Sequence, residues 1–416
     1  MSSDRDIVAT RRLALATQCF EPDFGGIEVL MTGLADALAA SGREIEVFAD
    51  HIRGRGAQEL VRPYPIRRFG SIRPLRRWMK RCALAGRART GFAGVIADSR
   101  KSVAAIPVGV GPIAVFAHGN EIPQELERAR ARRIRAALRR VRTVIAISHF
   151  TAEMTRRVAG SSLTEIVVVN PPLPAQETAG AAALAVIEAR IAGRAPVVST
   201  LSRLEPRKGV DTVLAALPRL RERFPRIVYL VGGAGDDQNR LRALAAEHCV
   251  EAQVEFLGRL PDDQAKAALF ERSDVFAMPV RRVGASVEGF GIVYAEAAWR
   301  GVPSLAGADG GASDAVLDGE TGFVRRGDDP EAVLAALTTL LADDGLRARM
   351  GEAARRRVNE ELTWKHALPR YLAALGLCGA PDAPGSRRAV GVGAGSENRS
   401  APAPSGAKRS GRKSRQ

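Results

Sequence analysis

Apolar residues in this chain alternate between two rhythms. Short unbroken apolar runs of strand length are followed by stretches whose apolar positions recur every three or four residues, the spacing of one helix face. "LALAT" at residues 13–17 predicts a strand, the loop "QCFEPDFGGIE" follows it, and "VLMTGLADALAASG" predicts a helix closed by Gly42. "EIEVFAD" predicts the next strand, and "PIAVFAH", "TVIAIS" and "EIVVVN" predict three more. Strand, glycine loop, helix, strand is the opening of a doubly wound α/β domain. The last of these strands runs into "PPLP", where proline stops regular structure and marks a hinge.

Beyond the hinge the pattern restarts. A linker helix around "AALAVIEARIAG" precedes strands at "PVVSTLSRL", "RIVYLVGGAG", "QVEFLG", "DVFAMP" and "PSLAG". Helices at "DTVLAALPRLRERF", "NRLRALAAEHCV", "DQAKAALFERS" and from about Gly291 alternate with them, which predicts a second parallel sheet. "DPEAVLAALTTLLAD", "GLRARMGEAARRRVNEE" and "WKHALPRYLAALGL" predict three closing helices. The expected division is a first α/β domain at residues 1–172, a hinge and linker helix at 173–195, and a second α/β domain at 196–350. C-terminal helices at 351–378 return to the first domain, and the tail at 379–416 has too few apolar residues to bury a core, so disorder is expected there. Two such domains place a cleft between the carboxyl ends of both sheets, so residues just after strands are the ones to weigh.

Length and composition agree with this division. At 416 residues the chain exceeds one ordinary core, and its scarce aromatics suit helix-covered parallel sheets. Cys19, Cys82, Cys249 and Cys378 form no Cys-x-x-Cys pair and read as reduced structural thiols. "MSSDRDIVATRR" leads into the first strand without a signal-peptide core, and no run of about eighteen apolar residues occurs. A cytoplasmic protein that spans no membrane is expected.

Charge changes more. The net charge is +16, and residues 67–89, which begin at Arg67 and end at Arg89, carry nine Arg or Lys and no acid. Trp78, Met79 and Leu84 stand among these cations, so the stretch is expected to rest on an anionic membrane surface. Residues 125–142 are also Arg-dense, and the tail holds eight basic residues against Asp382 and Glu397. Such patches attract phosphate of lipid or nucleic acid, while a solvated helix face is the plainer reading. No specific nucleic-acid partner is expected, because no binding module is recognisable and few aromatics could stack on bases.

Two loops carry the chemistry. "SRLEPRKG" places Arg203 and Lys208 after a strand, where two cations can neutralise a diphosphate. "EGFGIVYAEAAWRGVP" offers glycines that admit close backbone approach and a helix start whose N–H groups and dipole favour an anion. Glu288 lies before that helix and Glu296 about a turn inside it, so the two carboxylates touch different parts of one elongated ligand. Carboxylates accept hydrogen bonds from vicinal hydroxyls, and a sugar and a ribose joined by a diphosphate would satisfy the whole set. That is a nucleotide sugar.

At this point the chain resembles the glycosyltransferase family 4 enzymes of the GT-B fold. The resemblance runs through residues 203–209, "VEFLGRLPDDQ", "SDVFAMPVRRVGASVEGFGIVYAEAAWRGVPSLAG", "GGASDAVLDGETGFV", "PDFGGIE" and the "HGNE" at residues 118–121, and covers residues 10–375. The insert "RRVGASVEGFG" with the His-Gly-x-Glu is most similar to the branch of phosphatidylinositol mannosyltransferases and exopolysaccharide enzymes. It implies two Rossmann-like domains and a retaining transfer of a sugar, with mannose from GDP-mannose favoured, to a hydroxyl of a lipid-linked or glycan acceptor. It also implies Glu288 on the donor sugar, the backbone of Phe290, Gly291 and Ile292 on the distal phosphate, and Glu296 on the ribose. Arg203 and Lys208 would bind the diphosphate, Gly25 and Gly26 would reach the phosphates from the first domain, His118 would sit by the transferred sugar, and Gly258 with Arg259 near the base.

No metal or other cofactor is expected, because two cationic side chains and a helix terminus take the place of a divalent ion, and the lone Asp-x-Asp, Asp4 and Asp6, precedes the first strand. No second carboxylate matches the nucleophile of a retaining hydrolase, so same-face substitution assisted by the leaving phosphate is expected. His51, His149, His248 and His366 show no partner pattern and are expected to carry no chemistry. A nucleotide-sugar epimerase of similar fold and a basic nucleic-acid-binding protein are the alternatives. A dehydrogenase is disfavoured because no Gly-x-Gly-x-x-Gly follows the first strand, although "GGAG" occurs at residues 232–235.

Overall fold

The computed structural model describes residues 12–22, 25–51, 61–88, 91–119, 128–160 and 164–377. Asp4, Asp6, Asn120, Glu121, Cys378 and the basic tail lie outside them.

The first sheet comprises β1 (Leu13–Ala16), β2 (Ile45–Asp50), β3 (Ile66–Phe69), β4 (Gly94–Ala97), β5 (Ile113–Ala117), β6 (Thr143–Ala146) and β7 (Glu165–Val168), in the order β3-β2-β1-β4-β5-β6-β7. All neighbours run parallel, with Leu13 in register with Ile45 on one side and Gly94 on the other. The second sheet comprises β8 (Val197–Leu201), β9 (Val228–Gly232), β10 (Val254–Gly258), β11 (Val275–Met278), β12 (Ser304–Gly307) and β13 (Gly322–Arg325), in the order β10-β9-β8-β11-β12-β13. Both orders reverse beside their first strand, between β1 and β4 and between β8 and β11. Loops leaving those strands diverge, and open parallel sheets take ligands at such switch points.

Helices on both faces explain the apolar runs. β1 is buried at all four positions, as a strand covered on two sides must be. The helix Gly26–Ala40 buries Leu30, Met31, Leu34, Ala35 and Leu38, one stripe along its length. The core continues from Leu15 through Phe116 and Tyr371 to Phe276 and Tyr294, joining both halves of the molecule.

Three strands, β3, β4 and β13, were not legible in the sequence. β3 is an edge strand, which needs no apolar face and tolerates charge. Its Arg67 donates from Nε to Glu46 Oε1 at 2.5 Å, and Arg68 donates to the carbonyl of Glu21. The basic stretch is therefore part edge strand and part helix, Arg73–Ala88, and β2 supplies the acids that the stretch itself lacks. Lys80 is buried, with Nζ 2.6 Å from Asp50 Oδ1 and 2.7 Å from the Thr17 carbonyl, and Arg76 Nε lies 2.9 Å from Asp50 Oδ2. Only part of this stretch forms an open basic face, and Leu84, expected among the apolar residues at a membrane surface, is instead fully buried in the core.

After the helix Asp344–Glu361 packs on the second half, the helix Trp364–Ala374 lies on the first. Trp364 covers Gly33, where a Cβ would come within 2.5 Å of its ring, and Tyr371 meets Phe116 edge to face with ring centroids 5.3 Å apart. The chain thus passes between the halves near Leu173 and again near Leu362, and these crossings touch, the Leu173 N–H donating to the Leu362 carbonyl at 2.8 Å. Among the described residues no helix is long and apolar enough to cross a membrane.

Candidate active site

Beyond β8 the chain turns through a short 3₁₀ helix, Pro206–Lys208, that ends at Gly209. Gly209 has φ +73°, and a Cβ there would sit 2.1 Å from the Pro279 carbonyl oxygen, so this loop lies directly against the one after β11. The contact brings two buried cations to Glu288. Arg207 Nη1 donates to Glu288 Oε2 at 2.8 Å and Lys208 Nζ donates to the same oxygen at 2.5 Å. Arg207 also donates from Nε to Glu205 Oε2 at 2.9 Å, which orients its fork.

Burial pushes the Glu288 carboxyl up, but Lys208 and Arg207 outweigh it and hold the group down at about 2. Glu288 is therefore ionised at any physiological pH and cannot serve as a general acid. Its Oε1 takes no side-chain partner among the described residues, which leaves one oxygen to accept from a ligand hydroxyl.

Two glycines shape the next three residues. A Cβ on Gly289 would lie 2.2 Å from the His118 carbonyl oxygen, so the loop passes over the end of β5 at backbone distance. Gly291, at φ +85°, caps the helix Ile292–Trp299 with no side chain on its first N–H groups. Tyr294 OH donates to the Met278 carbonyl at 2.5 Å and ties the helix start to β11. That helix terminus is aimed into the cleft, where an anion would complete it. On the opposite wall His118 donates from Nε2 to the Asp98 carbonyl at 3.0 Å, which places its proton on Nε2, and it stacks on Phe116.

These groups line one cavity of about 640 Å³ between the two halves. It brings together Gly25, Gly26 and His118 from the first half with Arg203, Lys208, Glu288, Phe290, Gly291 and Ile292 from the second. The Phe290 ring is buried in the core, so only its backbone is available. Arg203 is at the rim, its side chain 75% exposed and 3.2 Å from Glu205 Oε1. Gly258, Arg259 and Glu296 stand outside this lining. Gly258 ends β10, its carbonyl accepting from Gly233 N–H at 2.7 Å, and Arg259 is exposed. Glu296 is buried, with Oε1 2.8 Å from Lys266 Nζ, and that ammonium also reaches Asp263 at 2.8 Å.

Several contributors were missed. Arg207 shares the Glu288 oxygen, and its one sequence signal was its position beside Lys208. Glu28 also lines the cavity, so a second carboxylate is present that the sequence reading did not find. Its Oε2 covers Gly25 so closely that a Cβ there would approach to 2.3 Å. His149, expected to carry nothing, bridges the halves: its backbone N–H and Nδ1 lie 2.9 and 2.8 Å from Asp314 Oδ2, which Asn170 Nδ2 also reaches at 3.2 Å. Partners 165 residues apart leave no local pattern to read.

Comparison with known proteins agrees with this geometry. The family model "Glycosyltransferase Family 4" matches residues 24–177, and "Glycosyl transferases group 1" matches residues 187–357. The GDP-mannose-dependent alpha-(1-6)-phosphatidylinositol monomannoside mannosyltransferase of Mycolicibacterium smegmatis is 32% identical over 371 residues, covering 85% of this chain and 95% of that protein. The protein of the same description from Mycobacterium tuberculosis H37Rv is 30% identical, with the same coverage. Among solved structures, sucrose-phosphate synthase from Thermosynechococcus elongatus superposes with a TM-score of 0.70 at 21% identity, covering 88% of this chain and 99% of that one. Anabaena HepE in complex with UDP and glucose gives 0.68 at 18% identity, with the same coverage. The structural likenesses speak to the fold and the sequence likenesses to the family: the chain belongs to glycosyltransferase family 4, built on the GT-B fold.

Proposed function

We propose that this protein transfers mannose from GDP-mannose, with retention of configuration, to a hydroxyl of a phosphoinositol-type glycolipid. One observation carries the reading: a buried Arg207–Lys208–Glu288 cluster at the switch point of the second sheet faces His118 and the Gly25–Gly26 loop across a cavity of nucleotide-sugar size. The mannosyltransferase relatives supply the donor and the acceptor class.

Lys208 and Arg203 would lie on the diphosphate, with the start of the helix Ile292–Trp299 on its distal phosphate. Glu288 Oε1 would accept from a mannose hydroxyl while Oε2 keeps the two cations in place. The bond between the anomeric carbon and the phosphate oxygen loosens into an oxocarbenium-like state. The acceptor oxygen then bonds to the same face of that carbon, and its proton passes to the leaving diphosphate. The side-chain cations would take the charge-neutralising role that a divalent ion fills elsewhere, so full activity is expected to persist in excess chelator; loss restored by manganese would contradict this.

A peripheral membrane position is supported by the helix Arg73–Ala88. Ile72, Leu75 and Trp78, spaced by three residues, are 70%, 44% and 61% exposed beside Arg73 and Arg77. Apolar residues among cations on and just before one helix suit an anionic interface. A thermal-shift panel of GDP-, UDP- and ADP-linked sugars tests the donor. GDP-mannose should stabilise most, by about 2.7 kcal/mol at a hundred times its dissociation constant. Preferential stabilisation by a UDP- or ADP-sugar would replace it.

A further inference from the structure

The first half carries a second cavity at the carboxyl edge of its sheet, about 290 Å³ in volume, where β1, β2 and β4 end. It shares no lining residue with the cavity described above. Among the described residues Asp50 is the single acid lining it, and both carboxylate oxygens are already engaged, Oδ1 by Lys80 at 2.6 Å and Oδ2 by Arg76 at 2.9 Å. Arg73, Arg77, Arg100, Lys101 and Arg133 also line it, and Arg73, Arg77, Lys101 and Arg133 have no carboxylate partner among the described residues. Ser102 also lines the cavity; it is 2% exposed, and its Oγ has no hydrogen-bond partner among the described residues.

Four uncompensated cations around a concave space, with a buried hydroxyl left unsatisfied, fit a ligand that presents several anionic oxygens in different directions. Phosphate does so, and arginine forks match its geometry. The cavity is also coupled to the donor side through one residue. Gln18, which lines it, donates from its backbone N–H to Asp98 Oδ2 at 2.7 Å, and the Asp98 carbonyl accepts from His118 Nε2.

We propose that this cavity is an anion site that seats a phosphate ester of the acceptor, anchoring it so that a hydroxyl projects past Asp98 toward His118. Phosphate binding rests on the cavity's own charges; the role of acceptor anchor rests on the transferase reading above.

Calorimetric titration of the full-length protein with inorganic phosphate and with glycerophosphoinositol, a soluble phosphodiester, tests the site. The Arg77→Gln/Lys101→Gln double variant removes two exposed cations that hold no internal ion pair, so it is expected to fold. It should weaken phosphodiester binding by about tenfold or more, as loss of charge-assisted hydrogen bonds implies, and leave GDP binding unchanged. Phosphodiester binding that is absent in the wild type, or equal in both proteins, overturns the site. Phosphatidylcholine vesicles with added phosphatidylinositol then name the source: competition with the soluble ester assigns the phosphate to a lipid headgroup, and its absence assigns it to a soluble ester, either of which upholds the site. Intact phosphodiester binding in a protein that binds no nucleotide would overturn the transferase reading instead.

Discussion

Arg207 and Lys208 converge on a single oxygen of Glu288, and that sharing sets what each residue can do. Two buried cations side by side repel unless an anion lies between them, so Glu288 holds the place a diphosphate would help to fill. Lys208→Ala is expected to lower kcat by roughly a hundredfold to a thousandfold, the range for losing one preorganised donor, with a smaller effect on GDP-mannose affinity. Single-turnover kinetics checks this, and an unchanged turnover would remove Lys208 from the mechanism. The pH behaviour follows from the depressed Glu288 pKa. A carboxyl held at about 2 contributes stability that is complete above the unfolded value near 4.5 and is lost as pH falls toward 2. The contribution is about 3 kcal/mol. Glu288→Gln should therefore be less stable than wild type by denaturant unfolding at pH 6, with the gap closing below pH 4; a gap that stays constant would mean the pair does not titrate there. Glu296 lies outside the cavity lining, paired with Lys266, so a ribose role for it is a proposal to be tested by nucleotide affinity. Glu296→Ala should weaken GDP and GDP-mannose alike, whereas Glu288→Gln should spare GDP, and equal losses would end that division. Glu288 and Lys208 were legible as neighbours in one cleft because both stand in loops just after strands, whereas Glu296 lies outside that lining. Arg207, Glu28 and Asp314 were not, because their meaning lies in contacts made by folding.

Strands and helices were legible where both faces are covered. β1, β5, β8 and β9 read as apolar runs because solvent touches neither side, and the long helices read through their buried stripes. β3 and β13 escaped because edge strands can carry arginine, as β3 does at Arg67 and Arg68. β4 escaped because four residues, one of them glycine, scarcely form a pattern. The connecting turns carry the sharper constraint. Gly209→Ala would force a side chain to adopt φ +73° and meet the Pro279 oxygen, so a loss of at least about 2 kcal/mol is expected by thermal or denaturant unfolding. Gly26 is the contrast, since a Cβ there meets nothing within 4 Å although the residue lines the cavity. Gly26→Ala should keep stability and raise the KM for donor. If both variants were equally stable, the contact between the loops after β8 and β11 would not be what fixes Lys208.

At the scale of the molecule, a few polar contacts and close glycine approaches hold the two halves in register across the cleft. Asp314 takes the N–H and Nδ1 of His149 and the amide of Asn170, while Gly311 admits Gly289 and Ser148 at distances no side chain would allow. Asp314→Ala should loosen that register. Small-angle scattering of the free variant is expected to show a larger radius of gyration, contracting on addition of GDP, and donor affinity should fall by about tenfold, the loss of one or two buried hydrogen bonds. Scattering curves identical to wild type would show that Asp314 is structural only within its own half.

The touching crossings at Leu173 and Leu362 give this register its mechanical sense. Two tethers that meet at one spot would act as a single pivot, resisting separation of the halves more than rotation about it. Displacement under rotation grows with distance from the pivot. A small change of angle there would become a wide change of aperture at the far lip, as in a book held at one stitch of its spine.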